Sequence, residues 1–188
     1  NITQDTIHTI TQKEVMDFTG VAVDPNDPSH FFVSSYGTGL YEFRNNQLIH
    51  NYKPSNSILG SAVFETPDRY TRIESPVFDE QGRLWVCVAG EVDTTLVAFM
   101  PDGTQRGINL YNETNDRFII NTPGGLIIDS NNEQRKWVLS CQKDPNIFIL
   151  DDGGTLFEGA DDRCVARMEF YDQDGGIIAP EFFYTLAQ

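Results

Sequence analysis

The chain has 188 residues and carries 28 acidic side chains against 13 Lys and Arg, a formal net charge of −15 at pH 7. This balance excludes a nucleic-acid partner, because neutralising phosphates takes clustered cations and those here are scattered. No apolar run reaches the roughly 18 to 20 residues of a membrane span, and the polar stretch 1–12 lacks the apolar core of a secretory signal.

Residues 6–12 alternate weakly through Ile7 and Ile10 and read as a leading strand. Four strands follow at about 15–23, 31–36, 40–43 and 47–52, with an Asn45-Asn46 turn between the last two. A long connection over 54–70 holds Pro, Gly and Ser and reads as packing over a rim. The next strands are 73–78, 84–89, 96–100 and 104–110, the last pair joined by Pro101-Asp102-Gly103. A third set is 124–128, 137–141, 147–150 and 155–157, with an acidic Gly turn at Asp151-Asp152-Gly153-Gly154. After Asp172-Gln173-Asp174-Gly175, a turn, the segment 181–188 resembles another first strand.

These sets are copies of one unit. An apolar run ends in an Asp (Asp24, Asp79, Asp129), polar turn residues follow, and an aromatic-apolar run resumes at Phe31, Trp85 and Trp137. The Asp residues are spaced by 55 and 50 residues, a repeat period of propellers and solenoids, and the β-branched and aromatic runs exclude the helical alternatives. The predicted fold is therefore all-β: four-stranded antiparallel propeller blades at approximately 15–53, 72–110 and 118–157, with a leading strand 6–12 and a trailing strand 181–188 of incomplete blades. The ends are expected to cut through an array, with the remaining blades of the same protein, or a second copy, covering apolar sheet faces left open.

The stretch Phe78-Asp79-Glu80-Gln81-Gly82-Arg83-Leu84-Trp85-Val86 resembles the blade signature of two-component regulator propellers, in which D-x-x-G-x-[IL]-W-[IV]-G-T forms the turn and second strand. Ser35 to Phe43 is similar to that family's T-x-x-G-L-x-x-F continuation, and Leu48 to Tyr52 with Asn56-Ser57-Ile58-Leu59 to its strand end and N-S-L connection. The less regular second and third copies, with Phe170-Tyr171-Asp172-Gln173-Asp174-Gly175, resemble PorZ-like propeller proteins of type IX secretion from gut bacteria. The resemblance implies an exported protein of the periplasm or cell surface. Its role would be either the sensor part of a hybrid two-component system or a surface secretion component, with glycan or lipopolysaccharide as ligand. It transfers no catalytic residue.

The residues themselves offer little catalysis. No Ser lies in G-x-S-x-G, and His8, His30 and His50 fall in a leading strand, a turn and an outer strand. The competing reading, a carbohydrate hydrolase or lyase, would need paired carboxylates on first strands; Asp17, Glu74 and Glu181 are the candidates. Asp24, Asp79 and Asp129 are expected to cap their turns, and Phe32, Trp85 and Trp137 to lie in the core between blades. Asp172-Gln173-Asp174-Gly175 lacks the later ligands of a calcium loop, so no metal and no cofactor is expected. Cys87, Cys141 and Cys164 have no CxxC spacing and are expected as buried free thiols.

Ligands are expected on the face formed by second-to-third-strand loops and inter-blade connections, at Tyr36, Arg69, Tyr70, Asp93, Arg117 and Lys143, with Asn112, Asn115 and Asp144 nearby. The opposite face, built from tight turns, is expected to offer little concavity. The acidic background should repel anionic glycans unless Arg69, Arg117 and Lys143 converge.

Overall fold

Strict alternation in Leu84-Trp85-Val86-Cys87-Val88 sends Leu84, Val86 and Val88 to one side of a strand and Trp85 and Cys87 to the other, and all five are buried. A strand buried on both faces must lie between two other layers, and it does. In the computed structural model, which describes residues 17–90, 94–110, 123–141, 147–157, 159, 161–167 and 170–178, it belongs to the middle of three four-stranded antiparallel blades.

The first blade is β1 (Phe18–Val23), β2 (His30–Gly37), β3 (Gly39–Arg44) and β4 (Gln47–Tyr52). The second is β5 (Thr71–Phe78), β6 (Leu84–Val88), β7 (Leu96–Phe99) and β8 (Gln105–Ile108). The third is β9 (Pro123–Ile128), β10 (Arg135–Ser140), β11 (Ile147–Asp151) and β12 (Arg163–Arg167). Neighbouring first strands pack on one another, β1 on β5 and β5 on β9. A short pairing of Tyr36 with Arg72 and Gly37 with Thr71 stitches the first blade to the second. Among the described residues the helical content is one 3-10 turn, Pro67–Arg69, inside the long connection.

Two apolar layers hold the blades together. Ala22, Phe32 and Leu40 meet Ile73, Leu84, Val86, Val88, Val97 and Phe99 between the first and second. Trp85, Cys87, Leu96 and Ala98 meet Leu126, Ile128, Val138, Phe148 and Leu150 between the second and third. The faces turned away from the second blade are less covered. Val21 and Val23 on β1 are 63% and 52% exposed, and Val165 on β12 is 46% exposed. For the same reason Trp137, expected in the core, is only part-buried: its neighbour Val138 takes the face toward the second blade.

The turns follow their chemistry. Asn45 and Asn46 both take positive φ (51° and 60°), the geometry of a tight hairpin between β3 and β4. Each of Asp24, Asp79 and Asp129 accepts a backbone N–H two residues on, from Asn26 (2.8 Å), Gln81 (3.1 Å) and Asn131 (2.9 Å). Asp172 likewise accepts the N–H of Asp174, two residues on (2.9 Å), and that of Gly176, four residues on (2.7 Å), closing the hairpin between β13 (Phe170–Tyr171) and β14 (Ile177–Ile178).

One strand is corrected. The fourth strand of the third blade is β12 at Arg163–Arg167, paired with β11, and not 155–157. The apolar Leu156 that prompted the expectation is buried between blades, and its carbonyl accepts a hydrogen bond from the Arg106 guanidinium of the second. The leading strand 6–12 and the trailing strand 181–188 lie outside the described residues.

Candidate functional site

Each of the three first strands is interrupted by a bulge. The β1 register slips between Phe18 and Gly20, that of β5 between Glu74 and Val77, and that of β9 opposite the Leu139–Ser140 step. Thr19, Glu74 and Gly124 stand at equivalent positions, each five residues before the turn Asp of its blade. A bulge bends its strand and re-aims a side chain, and such features gather beside functional sites. Repeated in three consecutive blades, the bulges form a belt along the packed first strands.

The middle bulge is the most strained. Ser75 has φ +53°, a left-handed conformation that costs a non-glycine residue about 1 kcal/mol or more. Pro76 follows and cannot donate to the ladder. Its ring lies where a Cβ on Gly20 would have to sit, 2.8 Å from Cδ, so the first two bulges interlock. The Thr19 hydroxyl crosses between blades, donating to the Ile73 carbonyl at 2.8 Å and lying 2.8 Å from Ser34 Oγ.

Glu74 is the belt's carboxyl. Burial pushes its pKa up to about 7, a shift that the Thr19 hydroxyl partly offsets. Cys141, at the end of β10, brings its Sγ within 2.5 Å of where a Cβ on Gly124 would be, so that glycine is what admits the thiol. Burial, and then the charge of Glu74, raise the pKa of Cys141. At the same end, the Arg72 guanidinium lies 5.0 Å above the Tyr36 ring, and the Tyr36 N–H donates to the Asp17 carbonyl at 2.8 Å.

No family model and no curated protein matches the sequence. Solved structures do. One is PorZ, a bacterial surface component of the type-IX secretion system of Porphyromonas gingivalis, at 26% identity and a TM-score of 0.73 over 89% of this chain. The chain is similar to PorZ over most of its length. It spans only 22% of that protein. A second is the extracellular domain of the putative hybrid two-component system BT3049 of B. thetaiotaomicron, at 17% identity and a TM-score of 0.50 over 86% of this chain and 20% of that one; it supports the fold alone. These are the two classes that the blade motifs resemble, and the all-β propeller reading stands on the PorZ match.

The ligand residues expected from sequence divide in two. Asp93, Arg117 and Lys143, with Asn112, Asn115 and Asp144, lie outside the described residues, as does Glu181. Tyr36 sits at the end of β2 against Arg72, which the sequence reading did not single out. Arg69 borders a cleft of about 410 Å³ with Pro54, Ser55, Pro67 and Asp68, and the Tyr70 carbonyl accepts the Ala62 N–H at 3.1 Å.

The turn face is not flat, as its short turns had implied. Clefts of about 400 and 370 Å³ flank Val77 to Glu80, one bordered by Val21 to Val23 and the other by Leu126 to Ile128. Their concavity comes from the gaps between consecutive first strands and not from the turns. Among the described residues no group of three or more His, Cys, Asp or Glu could hold a metal ion, and no helix is long and apolar enough to cross a membrane. Thr19 and Gly124 went unnoticed as site residues, although counting back from each turn Asp places them beside Glu74.

Proposed function

We propose that this chain is part of a recognition or scaffold propeller of an exported bacterial protein, acting without catalysis as a PorZ-like component of surface secretion. The observation that carries this reading is the similarity to PorZ, at 26% identity against 17% for the sensor domain, with a better fit over the same share of the chain. Glycan-type ligands, if this face is a recognition face, would be met at the Tyr36–Arg72 pair and the connection through Arg69 and Tyr70, where an aromatic ring, guanidinium groups and backbone amides suit sugar hydroxyls.

The sensor reading rests on the blade signature at Phe78 to Val86. A hydrolase or lyase would need a second carboxyl converging on Glu74. Deleting these blades from the chromosomal copy separates the readings. Loss of secreted cargo from the cell surface supports the secretion role. Intact secretion with altered transcription would overturn it in favour of the sensor.

A further inference from the structure

The two turn-end clefts are neighbours that share one wall, the stretch Val77 to Glu80 at the end of β5. Apolar side chains line them on both sides, Val21 and Val23 in the first and Leu126 and Ile127 in the second. The charged groups on their borders are of one sign. Asp79 is neutralised by Arg83, but Glu80 is exposed, and Glu133 is held by neutral donors, the Glu80 N–H at 3.1 Å and the Gln81 side-chain amide. Among the described residues no Lys or Arg lines either cleft, and none is ion-paired with Glu80 or Glu133. The backbone adds a third element. Val21 to Val23 pair with β2, and Val77 and Phe78 with β6, which leaves each segment a second edge with no strand partner among the described residues.

We propose that the turn end is a docking surface for an extended segment of a partner protein in which apolar residues alternate with Lys or Arg. The apolar side chains seat in the two clefts and a cation lies over the Glu80 and Glu133 carboxylates. Open strand edges bind extended peptides through their main chain, and pockets for alternate side chains then supply the selectivity. Charge decides the occupant. A net charge of −15 attracts a basic segment and repels an acidic one or an anionic membrane surface, and the two uncompensated carboxylates focus that preference on the shared ridge. A glycan is the poorer fit, because valine, leucine and isoleucine walls offer sugar hydroxyls no hydrogen bonds. This surface is separate from the Tyr36 end and stands whether or not a glycan binds there.

The probe is the labelled peptide Lys-Val-Lys-Val-Lys-Val, titrated into the full chain by fluorescence anisotropy beside one peptide with Ser for every Val and another with Glu for every Lys. The expected result is binding of the first, at least about tenfold weaker binding of the serine peptide, and none of the glutamate peptide. Val23→Ser should weaken binding about tenfold, and Glu80→Gln about threefold with a shallower salt dependence. Both positions are exposed, so unchanged melting temperatures show that the variants fold. Equal binding of the valine and serine peptides means undirected charge attraction and overturns the proposal. So does equal binding of the lysine and glutamate peptides, or failure of the lysine peptide to bind. Tyr36→Ala should leave peptide binding intact, so a failure of the glycan reading and a failure of this one are told apart.

Discussion

The Nζ of Lys136, on the third blade, lies 4.5 Å from the centre of the Trp85 ring on the second. Both side chains are fully buried, and the ammonium is ion-paired with Asp152, itself 2% exposed. Burial pulls the Lys136 pKa below its usual value, and the Asp152 carboxylate works against that pull. A cation sandwiched between a carboxylate and an aromatic face ties the turn after β11 to the core between two blades.

That arrangement predicts asymmetric mutational costs. Lys136→Met leaves Asp152 buried without its cation and should cost about 3 to 5 kcal/mol, whereas combining it with Asp152→Leu should recover most of the loss. Denaturant unfolding of the two single variants and the double variant measures this. Equal losses in the single and double variants would count against the pair as described.

The turn aspartates make a graded series. Asp79 accepts the Trp85 indole N–H at 2.8 Å as well as Arg83 N–H at 2.9 Å, and Asp129 accepts the Trp137 indole at 3.3 Å; in the first blade the ring is His30, 3.0 Å from Asp24. Since Trp85 is buried and Trp137 is not, Asp79→Ala strands a buried donor and should cost about 3 kcal/mol, Asp129→Ala about 1. Thermal unfolding of the two variants gives the order, and a larger effect at Asp129 would contradict it.

Much of this was legible in the sequence, and for a physical reason. The Asp, the turn and the following aromatic are local, so each copy announces its own hairpin, and the blades, the Asn45-Asn46 turn and the capping role of the three aspartates all follow from short stretches. What depends on a neighbouring blade was not. Lys136 looks like a solvent-facing residue of a half-buried strand, since its partners Asp152 and Trp85 come from a later turn and an earlier blade. Leu156 looks like strand because its apolar character is used to plug a layer. The belt was half visible: Glu74 stood out as a carboxyl on a first strand, while its bulge was hidden in Ser75-Pro76, a proline where a continuous ladder would not accept one.

Glu74 sets a pH dependence of unusual sign for a carboxylate. Its folded pKa of about 7 lies above the unfolded value of 4.5, so the native state holds more protons between these limits. Stability is then full below about pH 4.5 and declines as pH rises through 7. The shift corresponds to about 3 kcal/mol, reduced to about 1 to 2 because the side chain is half exposed. Glu74→Gln should abolish this decline, so that the variant gains on the parent between pH 5 and pH 8 in melting experiments. A parallel pair of curves would place the carboxyl in water.

The thiols should differ in reactivity. Burial raises the pKa of Cys87 strongly and pushes that of Cys164 up to about 12, and both thiols are buried, while Cys141 is part-exposed, its pKa raised by burial and then by the Glu74 charge. A disulfide reagent at pH 8 should modify Cys141 slowly and spare Cys87 and Cys164 until the chain unfolds. Rapid modification of Cys87 in the native state would contradict the packing between the second and third blades.

The central claim is that recognition belongs to the end carrying Tyr36 and the connection through Tyr70, and not to the clefts of the turn end. Glycan-array binding of the full chain tests it most directly when repeated with Tyr36→Ala and Tyr70→Ala, and with Val23→Ser and Val77→Ser in the turn-end clefts. The account predicts that the tyrosine changes remove binding and the valine changes leave it. Binding that survives the loss of both tyrosines and disappears with either valine would place the ligand on the opposite face.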